Sequence, residues 1–456
     1  MTPQSPRPSR TTRRSFLAGA AASTLAGHAG ARTLEDLLGT TDPLAPRAPH
    51  HRARARRVIF VFLPGGLSHV DSFDPKPRLV ADHDKEVDGQ RLMRPRWEFK
   101  PRGESGMEIS ELFPHLAQRA DELCMVRSMV AQHGNHAQAT RGMHTGSTAV
   151  VRPSLGAWVS YGLGSGNPNL PSFAVIAPKL PYAGEQVWGA DFLPACHQGV
   201  RIVPGPTPLP NLAPRVGEEH AARELGLLER LNRRHLAARA SSDLEARARS
   251  FHLAEGMRRE APEIFDLSRE SDATLELYGL KRGATDGFAW QCLVARRLIE
   301  RDVRFVELID VGSSNNWDAH GNMDTHKKLA RNIDRPLAGL LSDLRRRGLL
   351  EDTLVVCTTE FGRSPHRDKK NKNGRGHHPK AFSSWLAGAG VRAGHVHGAT
   401  DEYGYRPAEG AVGIHDFHAT LLHLCGFDHE RLTFRHAGRD FRLTDVEGEV
   451  VHGVLA

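Results

Sequence analysis

The segment Arg57-Val-Ile-Phe-Val-Phe-Leu63 is the clearest indicator of the fold class, and it runs directly into Pro64-Gly65-Gly66. Its six apolar residues are continuous rather than alternating, and most are β-branched or aromatic. Such a run is typical of a strand that is buried on both faces of a sheet. The Pro-Gly-Gly sequence that follows indicates a tight turn at the end of that strand.

Further apolar runs follow along the chain, and segments with helical spacing of apolar residues separate them. We predict strands at Phe173–Ala177, Val303–Val311, Thr353–Thr359 and Phe382–Leu386, and helices at about 288–301, 323–348 and 413–425. Alternating strands and helices predict an α/β fold with a mostly parallel central sheet and helices on both faces. Ligands of such folds bind beyond the carboxyl ends of the strands.

The charge of the chain is uneven. It has 456 residues, 61 Lys and Arg against 53 Asp and Glu, and a formal net charge of +8. Residues 1–57 contain ten arginines and three acidic residues, so they carry +7 of this charge. The rest is almost neutral, which argues against a nucleic-acid partner, since such proteins need a basic face. The 26 histidines are a hint of metal chemistry instead.

The amino terminus has the pattern of an export signal. Arg13-Arg14-Ser15-Phe16-Leu17 precedes a short apolar run of small residues, with a cleavage pattern at Ala29-Gly30-Ala31. We predict a twin-arginine signal peptide at 1–31, a linker at 32–56, and one domain at 57–456 with a helical insertion at about 217–260. The expected partner is the twin-arginine export machinery and the expected location is the periplasm or cell envelope. No apolar stretch is long enough for a transmembrane anchor.

The first candidate metal motif is Asn316-Trp-Asp-Ala-His320, which follows a predicted strand and precedes a long helix. Asp318 and His320 supply a carboxylate and an imidazole, and together they suit a divalent cation. The alternative is that Asp318 caps the helix and that His320 is an ordinary loop residue.

Two further motifs lie after or between later strands. Glu360 ends one strand and is a candidate metal ligand or base, and Arg363 beside it suits a phosphate or sulfate group. The alternative for these two is a structural ion pair. In the Gly-rich loop at 374–379, His377 and His378 are adjacent, so we expect one of them, rather than both, to be a ligand.

The turn after the first strand contains Ser68, a candidate nucleophile, and Asp71, a candidate metal ligand. Four other histidines are weaker site candidates, with core or capping positions as the alternative: His133, His136, His144 and His415. His133 and His136 would share a face if their segment were helical.

Several of these motifs together resemble a bacterial family known as domain of unknown function 1501. The resemblance rests on the segments 62–77, 153–164, 316–320, 359–363, 376–379 and 438–445, and it covers nearly all of 57–455. The family looks like a branch of the alkaline phosphatase–sulfatase superfamily. This implies a three-layer α/β sandwich, divalent metals and hydrolysis of phosphate or sulfate esters.

The resemblance to the superfamily pattern is partial. Asp318 and His320 match its Asp and Gly-His pair, and Glu360 matches the Asp of an Asp-His pair, but Phe361 replaces the His. Pro64 stands near the place of the first metal-binding Asp, so Asp71 is the nearby substitute. No Cys-x-Pro-x-Arg segment, which sulfatases need for their nucleophile, occurs.

We therefore expect an exported hydrolase of small-molecule or glycan esters of phosphate or sulfate. Zn, Mn, Mg or Ca would be held by Asp318, His320, Glu360 and either His377 or His378. Arg363 would hold anionic oxygens, and Ser68 would attack the ester, with a metal-bound hydroxide as the alternative nucleophile. The rival hypothesis is a non-catalytic envelope protein of the same fold that binds glycans or a protein partner.

Overall fold

The computed structural model describes residues 42–212, 216–239, 242–371 and 373–456. The predicted signal peptide at 1–31 lies outside these residues. Nine strands of the described chain form the central sheet. In chain order they are β1 Arg57–Phe62, β2 Leu123–Val130, β3 Phe173–Ile176, β4 Val200–Ile202, β5 Phe305–Ile309, β6 Thr353–Thr358, β7 Phe382–Ala387, β8 His395–His397 and β9 Val412–Gly413.

The sheet is mostly parallel. Its spatial order is β8-β2-β7-β6-β1-β5-β3-β4. The ninth strand, β9, lies outside this order and also pairs with β2. β1 lies between β6 and β5 and is parallel to both, with Val58 opposite Leu354 on one side and Phe305 on the other. β7 is antiparallel to both of its neighbours, β6 and β2. The carboxyl ends of β2, β5, β6 and β1 and the amino end of β7 therefore meet at one edge.

Ten α-helices and several short elements complete the described chain. The helices are α1 His69–Ser72, α2 Pro77–Ala81, α3 His136–Thr145, α4 Leu155–Leu163, α5 Glu218–Ala238, α6 Ser242–Phe265, α7 Asp272–Tyr278, α8 Phe288–Ile299, α9 Thr325–Arg346 and α10 Ile414–Leu424. Small antiparallel pairs join 86–87 to 90–91, 99–102 to 107–110, 362–363 to 377–378, 399–400 to 407–409 and 434–436 to 439–441.

Helices cover both faces of the sheet, so the predicted three-layer α/β sandwich is confirmed. Side chains alternate along β1: Ile59 and Val61 join the core beneath α8 and α9, whereas Phe60 and Phe62 join the core beneath α4 and α10. Because both faces are buried, every residue of β1 after Arg57 is apolar.

Part of the predicted 32–56 linker packs against the domain. The backbone N–H groups of Arg54 and Ala55 donate to the carbonyl of Leu424 at 2.9 and 2.8 Å, and Ala55 is fully buried. Residues 51–55 are therefore ordered along the end of α10. The predicted helical segment at about 217–260 contains α5 and most of α6, which continues to Phe265. Among the described residues, no helix combines the length and apolarity that a membrane span requires.

Many of the histidines are structural. His69, His326 and His418 are almost completely buried, and each has one ring nitrogen near a backbone group. Burial disfavours the charged imidazole and lowers the pKa of each ring from 6.5 to about 3. The histidine excess is thus partly a property of the core.

These three rings predict acid lability. Their stabilising effect is complete above pH 6.5 and is lost as the pH falls toward 3, because only the unfolded chain then binds the protons. Each ring contributes a slope of up to about 1.4 kcal/mol per pH unit to the free energy of unfolding. Urea unfolding between pH 7.5 and 5 measures this slope. His418→Gln should reduce the slope by the equivalent of about one bound proton, or about 1.4 kcal/mol per pH unit. His220→Gln, which replaces an exposed imidazole on α5, is the control.

Candidate functional site

The candidate site lies at the edge where the strand ends meet. Asp318 follows β5, Glu360 follows β6, Gly65 follows β1, and His136 begins α3 after β2. His377 lies in the loop that leads into β7. Four of these segments bring polar side chains together at one place and the turn at Gly65 brings backbone groups, as expected for the carboxyl edge of a parallel sheet.

Glu360 is fully buried and orients His136. Its carboxylate accepts hydrogen bonds from the backbone N–H of Gly65 at 2.8 Å and from the Thr359 hydroxyl at 3.0 Å. It also lies 2.6 Å from Nδ1 of His136. The other nitrogen of that ring, Nε2, is 3.3 Å from Asp318. Glu360 therefore supports a histidine and lies behind the centre, a position found for carboxylates that orient metal-binding imidazoles.

His377 and His320 repeat this arrangement. Nδ1 of His377 donates to the carbonyl of Gly134 at 2.8 Å, and Nδ1 of His320 pairs with Asp368 at 2.9 Å. Their Nε2 atoms lie 3.4 and 3.3 Å from Oδ1 of Asp318. Three imidazoles thus present Nε2 to one carboxylate, and each is anchored through Nδ1.

This group has the chemistry of a divalent metal site. Ligand atoms of His136, Asp318 and His377 all lie within 4.8 Å of one another. The Nε2 atoms of His136 and His377 are buried, and neither forms a well-aligned hydrogen bond. Buried polar atoms without a well-aligned hydrogen bond are costly, so these two nitrogens point to a ligand that would bind between them and Asp318. Imidazole and carboxylate donors fit Zn and similar divalent ions.

The charges within the centre are strongly coupled. Burial disfavours ionisation of Asp318, but His136, His377 and Arg363 hold the pKa of this carboxyl well below its usual range. Burial also disfavours protonation of His136, but contacts with Asp318 and Glu360 raise the pKa of the ring above its ordinary value. Asp318 is therefore an anion at neutral pH and is available to a cation.

The sequence suggested that Arg363 binds a substrate anion, but the structure does not place its side chain to do so. Its guanidinium is fully buried and donates to the carbonyls of Gly65, Gly66 (3.0 Å) and Arg375 (3.2 Å), and to the carboxylate of Asp318. All three nitrogens of the guanidinium therefore donate to acceptors within the protein. The structural ion pair that the sequence left open is present, but its partner is Asp318 rather than Glu360.

Ser68 and Asp71 belong to a separate buried network. The Ser68 hydroxyl donates to Asp71 at 2.5 Å, and Arg375 pairs with the same carboxylate at 2.7 Å. All three side chains are fully buried. The structure therefore brings neither the predicted nucleophile nor this predicted metal ligand to the centre, because Arg375 rather than a metal neutralises Asp71.

The remaining histidine candidates diverge from the centre. His378 points away from its neighbour, with Nε2 at 2.6 Å from the carbonyl of Tyr405, as expected for adjacent residues in an extended segment. His144 is buried against Glu307 of β5 at 2.8 Å. His415 lies 3.7 Å from Glu447. His133 is exposed and precedes α3, so it does not share a helical face with His136.

Tyr182 and Asp368 contribute to the centre but were not singled out in the sequence. The Tyr182 ring stacks on His136 at 4.2 Å, and its hydroxyl accepts a hydrogen bond from Asn316 at 2.8 Å. Burial raises the pKa of this hydroxyl, so it stays protonated. The one signal available was position, because Tyr182 follows β3 at the same edge of the sheet.

An open cavity of about 990 Å³ adjoins the centre, and His320 and His377 form part of its wall. The loop 364–371, the segment 376–380 and Tyr405 form most of the rest. Two of the three imidazoles at the centre, those of His320 and His377, therefore line a space that can hold more than a single small anion.

The chain belongs to the family described as "Protein of unknown function (DUF1501)", whose model matches residues 55–455. No functionally curated protein matches it. Among solved structures, it is similar to the lipoteichoic acid synthase LtaP from Listeria monocytogenes (10% identity, 91% of this chain and 81% of that chain, TM-score 0.40).

It is also similar to the PsFucS1 sulfatase from Pseudoalteromonas sp. (14% identity, 83% and 69% coverage, TM-score 0.35) and to alkaline phosphatase from the Antarctic bacterium TAB5 (11%, 75% and 92%, TM-score 0.31). At such low identity and TM-scores these similarities assign neither a substrate nor a reaction to this chain.

The placement of Asp71 gives a direct test. Asp71→Asn removes one partner of a fully buried ion pair, so it should lower the free energy of unfolding by about 3–5 kcal/mol. It should leave the bound metal per chain unchanged, because Asp71 does not reach the centre. Urea unfolding and metal analysis measure the two effects, with the exposed Asp286→Asn as control. If Asp71→Asn lost the metal while its free energy of unfolding stayed unchanged, Asp71 would be a metal ligand after all.

Proposed function

We propose that this protein is an exported, divalent-metal-dependent hydrolase of phosphate or sulfate esters. The observation that carries the proposal is the convergence of three anchored imidazoles on Asp318 beside an open cavity. Ligands with this chemistry at the carboxyl edge of a sheet suit a metal that acts on a substrate.

His136, His377, His320 and Asp318 would hold the metal. When bound, a divalent ion supplies Lewis-acid polarisation of the ester and neutralises charge that develops during its cleavage. Asp318, Glu360 and Asp368 carry three formal negative charges and Arg363 one positive charge, so with neutral imidazoles the centre has a net charge of −2. A divalent ion would neutralise this charge.

The protein's own groups would orient the reactants. Arg363 holds Asp318 in place, and Glu360, Gly134 and Asp368 hold the three rings. The Tyr182 hydroxyl accepts from Asn316, so its proton remains to donate a hydrogen bond to an ester oxygen. Water would be the nucleophile, because the Ser68 hydroxyl is buried and bonded to Asp71.

The second candidate is a non-catalytic envelope protein that binds glycans or a protein partner. One observation favours it: the sequence-predicted nucleophile does not reach the centre. Metal binding without turnover of any ester would support this function instead. For either function we propose export by the twin-arginine machinery to the periplasm or cell envelope, on the evidence of Arg13-Arg14 and the apolar run that follows.

Metal analysis tests the centre. Protein purified with added Zn or Mn should retain about one ion per chain, and His136→Ala and His377→Ala should each lose most of it, because losing one of few ligands weakens binding strongly. His220→Ala removes an exposed histidine on α5 and should retain the wild-type content. Activity on 4-nitrophenyl phosphate and sulfate should fall in parallel. A metal-free wild type, inactive on both esters with added Zn, Mn, Mg or Ca, would rule out the proposal.

Tyr182→Phe tests the hydrogen-bond donor. It keeps the ring that stacks on His136 but removes the hydroxyl. We expect unchanged metal content and kcat lower by roughly 10-fold or more, as for loss of one transition-state hydrogen bond. Tyr161→Phe, which removes a hydroxyl bonded to the Thr433 carbonyl outside the site, is the matched control. Equal kcat in the wild type and Tyr182→Phe would exclude this role.

A further inference from the structure

The cavity beside the metal-binding centre has a basic wall. Its lining includes five cationic side chains: Arg367, Lys369, Lys370, Lys380 and Arg406. Two of them have acidic neighbours, since Arg367 pairs with Asp84 at 2.7 Å and Arg406 lies 3.9 Å from Asp401. Lys369, Lys370 and Lys380 are exposed, and within the described part of the chain none forms an ion pair.

The acidic residues of the wall are largely occupied by their own loops. Asp368 accepts from the backbone N–H groups of Lys370 and Asn371 through one oxygen and pairs with His320 through the other. Asp401 accepts from the N–H groups of Gly404 and Tyr405 at 2.9 and 2.8 Å. Asp88 is the third acidic residue of the wall. The charges of the wall that remain open to a ligand are therefore the three lysines and the carboxylate of Asp88, so the lysines leave this part of the wall with a net positive charge.

The cavity is large enough for one ligand to contact two groups of lining residues at once. His320 and His377 form one part of the wall, and the lysines at 369, 370 and 380 form another part of the same space. A volume of about 990 Å³ is at the upper end of ligand pockets and far exceeds that of one phosphate or sulfate group. A ligand that fills it has one anionic group at the imidazoles and further groups against the lysines.

We propose that the substrate is a polyanionic ester: a compound of saccharide size whose alcohol part carries further negatively charged ester groups. This inference rests on the proposed function for the ester group that is hydrolysed. Recognition of the other anionic groups depends only on Lys369, Lys370 and Lys380, which we call the lysine wall. A lysine ammonium attracts an anion as a point charge without demanding one geometry, so the wall suits several phosphate or sulfate positions.

Calorimetry with sucrose octasulfate and sucrose tests the binding, because the two share a skeleton and differ in charge. The octasulfate should bind the metal-loaded protein, and sucrose should not. The double variant Lys369→Ala, Lys370→Ala should weaken octasulfate binding by roughly 10-fold at low salt, with a smaller salt dependence than the wild type. Lys327→Ala with Lys328→Ala, on the exposed face of α9, removes the same charge elsewhere and should change the affinity less than twofold.

Inhibition kinetics test whether the octasulfate binds at the metal-binding centre. The octasulfate should inhibit hydrolysis of a 4-nitrophenyl ester competitively, and the 369/370 variant should raise the inhibition constant while kcat for the small ester stays unchanged. Hydrolysis of aryl esters with no octasulfate binding, or an equal loss of affinity in the 327/328 control, would contradict polyanion recognition by the lysine wall. Neither result would contradict the proposed hydrolase activity. Octasulfate binding that depends on Lys369 and Lys370 without any hydrolysis would support the wall and overturn the proposed catalysis.

Discussion

The buried guanidinium of Arg363 is the constraint on which the arrangement of the centre depends. A buried cation is costly unless it is paired and fully hydrogen-bonded. Its acceptors come from the turn after β1, the loop after β5 and the loop before β7, so these three segments must close around it. The turn at Gly65 and Gly66 can do so only without side chains. Both have positive φ, and a Cβ on Gly65 would lie 2.6 Å from the Asn316 side chain.

Glu360 complements this cation from the other side of the same turn. It accepts from the N–H of Gly65 while Arg363 takes the carbonyl of that residue, so the turn is held at both its donor and its acceptor. Glu360 then orients His136, and Arg363 orients Asp318. The three rings at the centre are anchored through Nδ1 in the protein alone. Nε2 of each ring faces Asp318, so the proposed metal could bind there without further ordering of side chains.

Sequence reasoning predicted the layers of the fold well and the site in part. The strands near β1, β5 and β6 and the helices near α8 and α9 were predicted because a buried strand and an amphipathic helix leave clear apolar patterns. Asp318, His320 and His377 were singled out because they lie in polar loops near strand ends. Glu360 was expected as a ligand, but the structure places it behind His136, which had been a weaker candidate. Ser68 and Asp71 had equally suitable chemistry but lie in a different network with Arg375.

The alternation of apolar strands with helices, the Gly-Gly turn after the first strand and the motifs of the family can all be recognised in the amino-acid sequence. Three features require the folded chain: which polar residues meet, the antiparallel pairing of β7 with both of its neighbours, and which nitrogen of each histidine faces the centre. Local patterns depend on neighbours a few residues apart, whereas the contacts that select the ligands join residues far apart in the chain, such as Gly65 with Glu360 and Glu360 with His136.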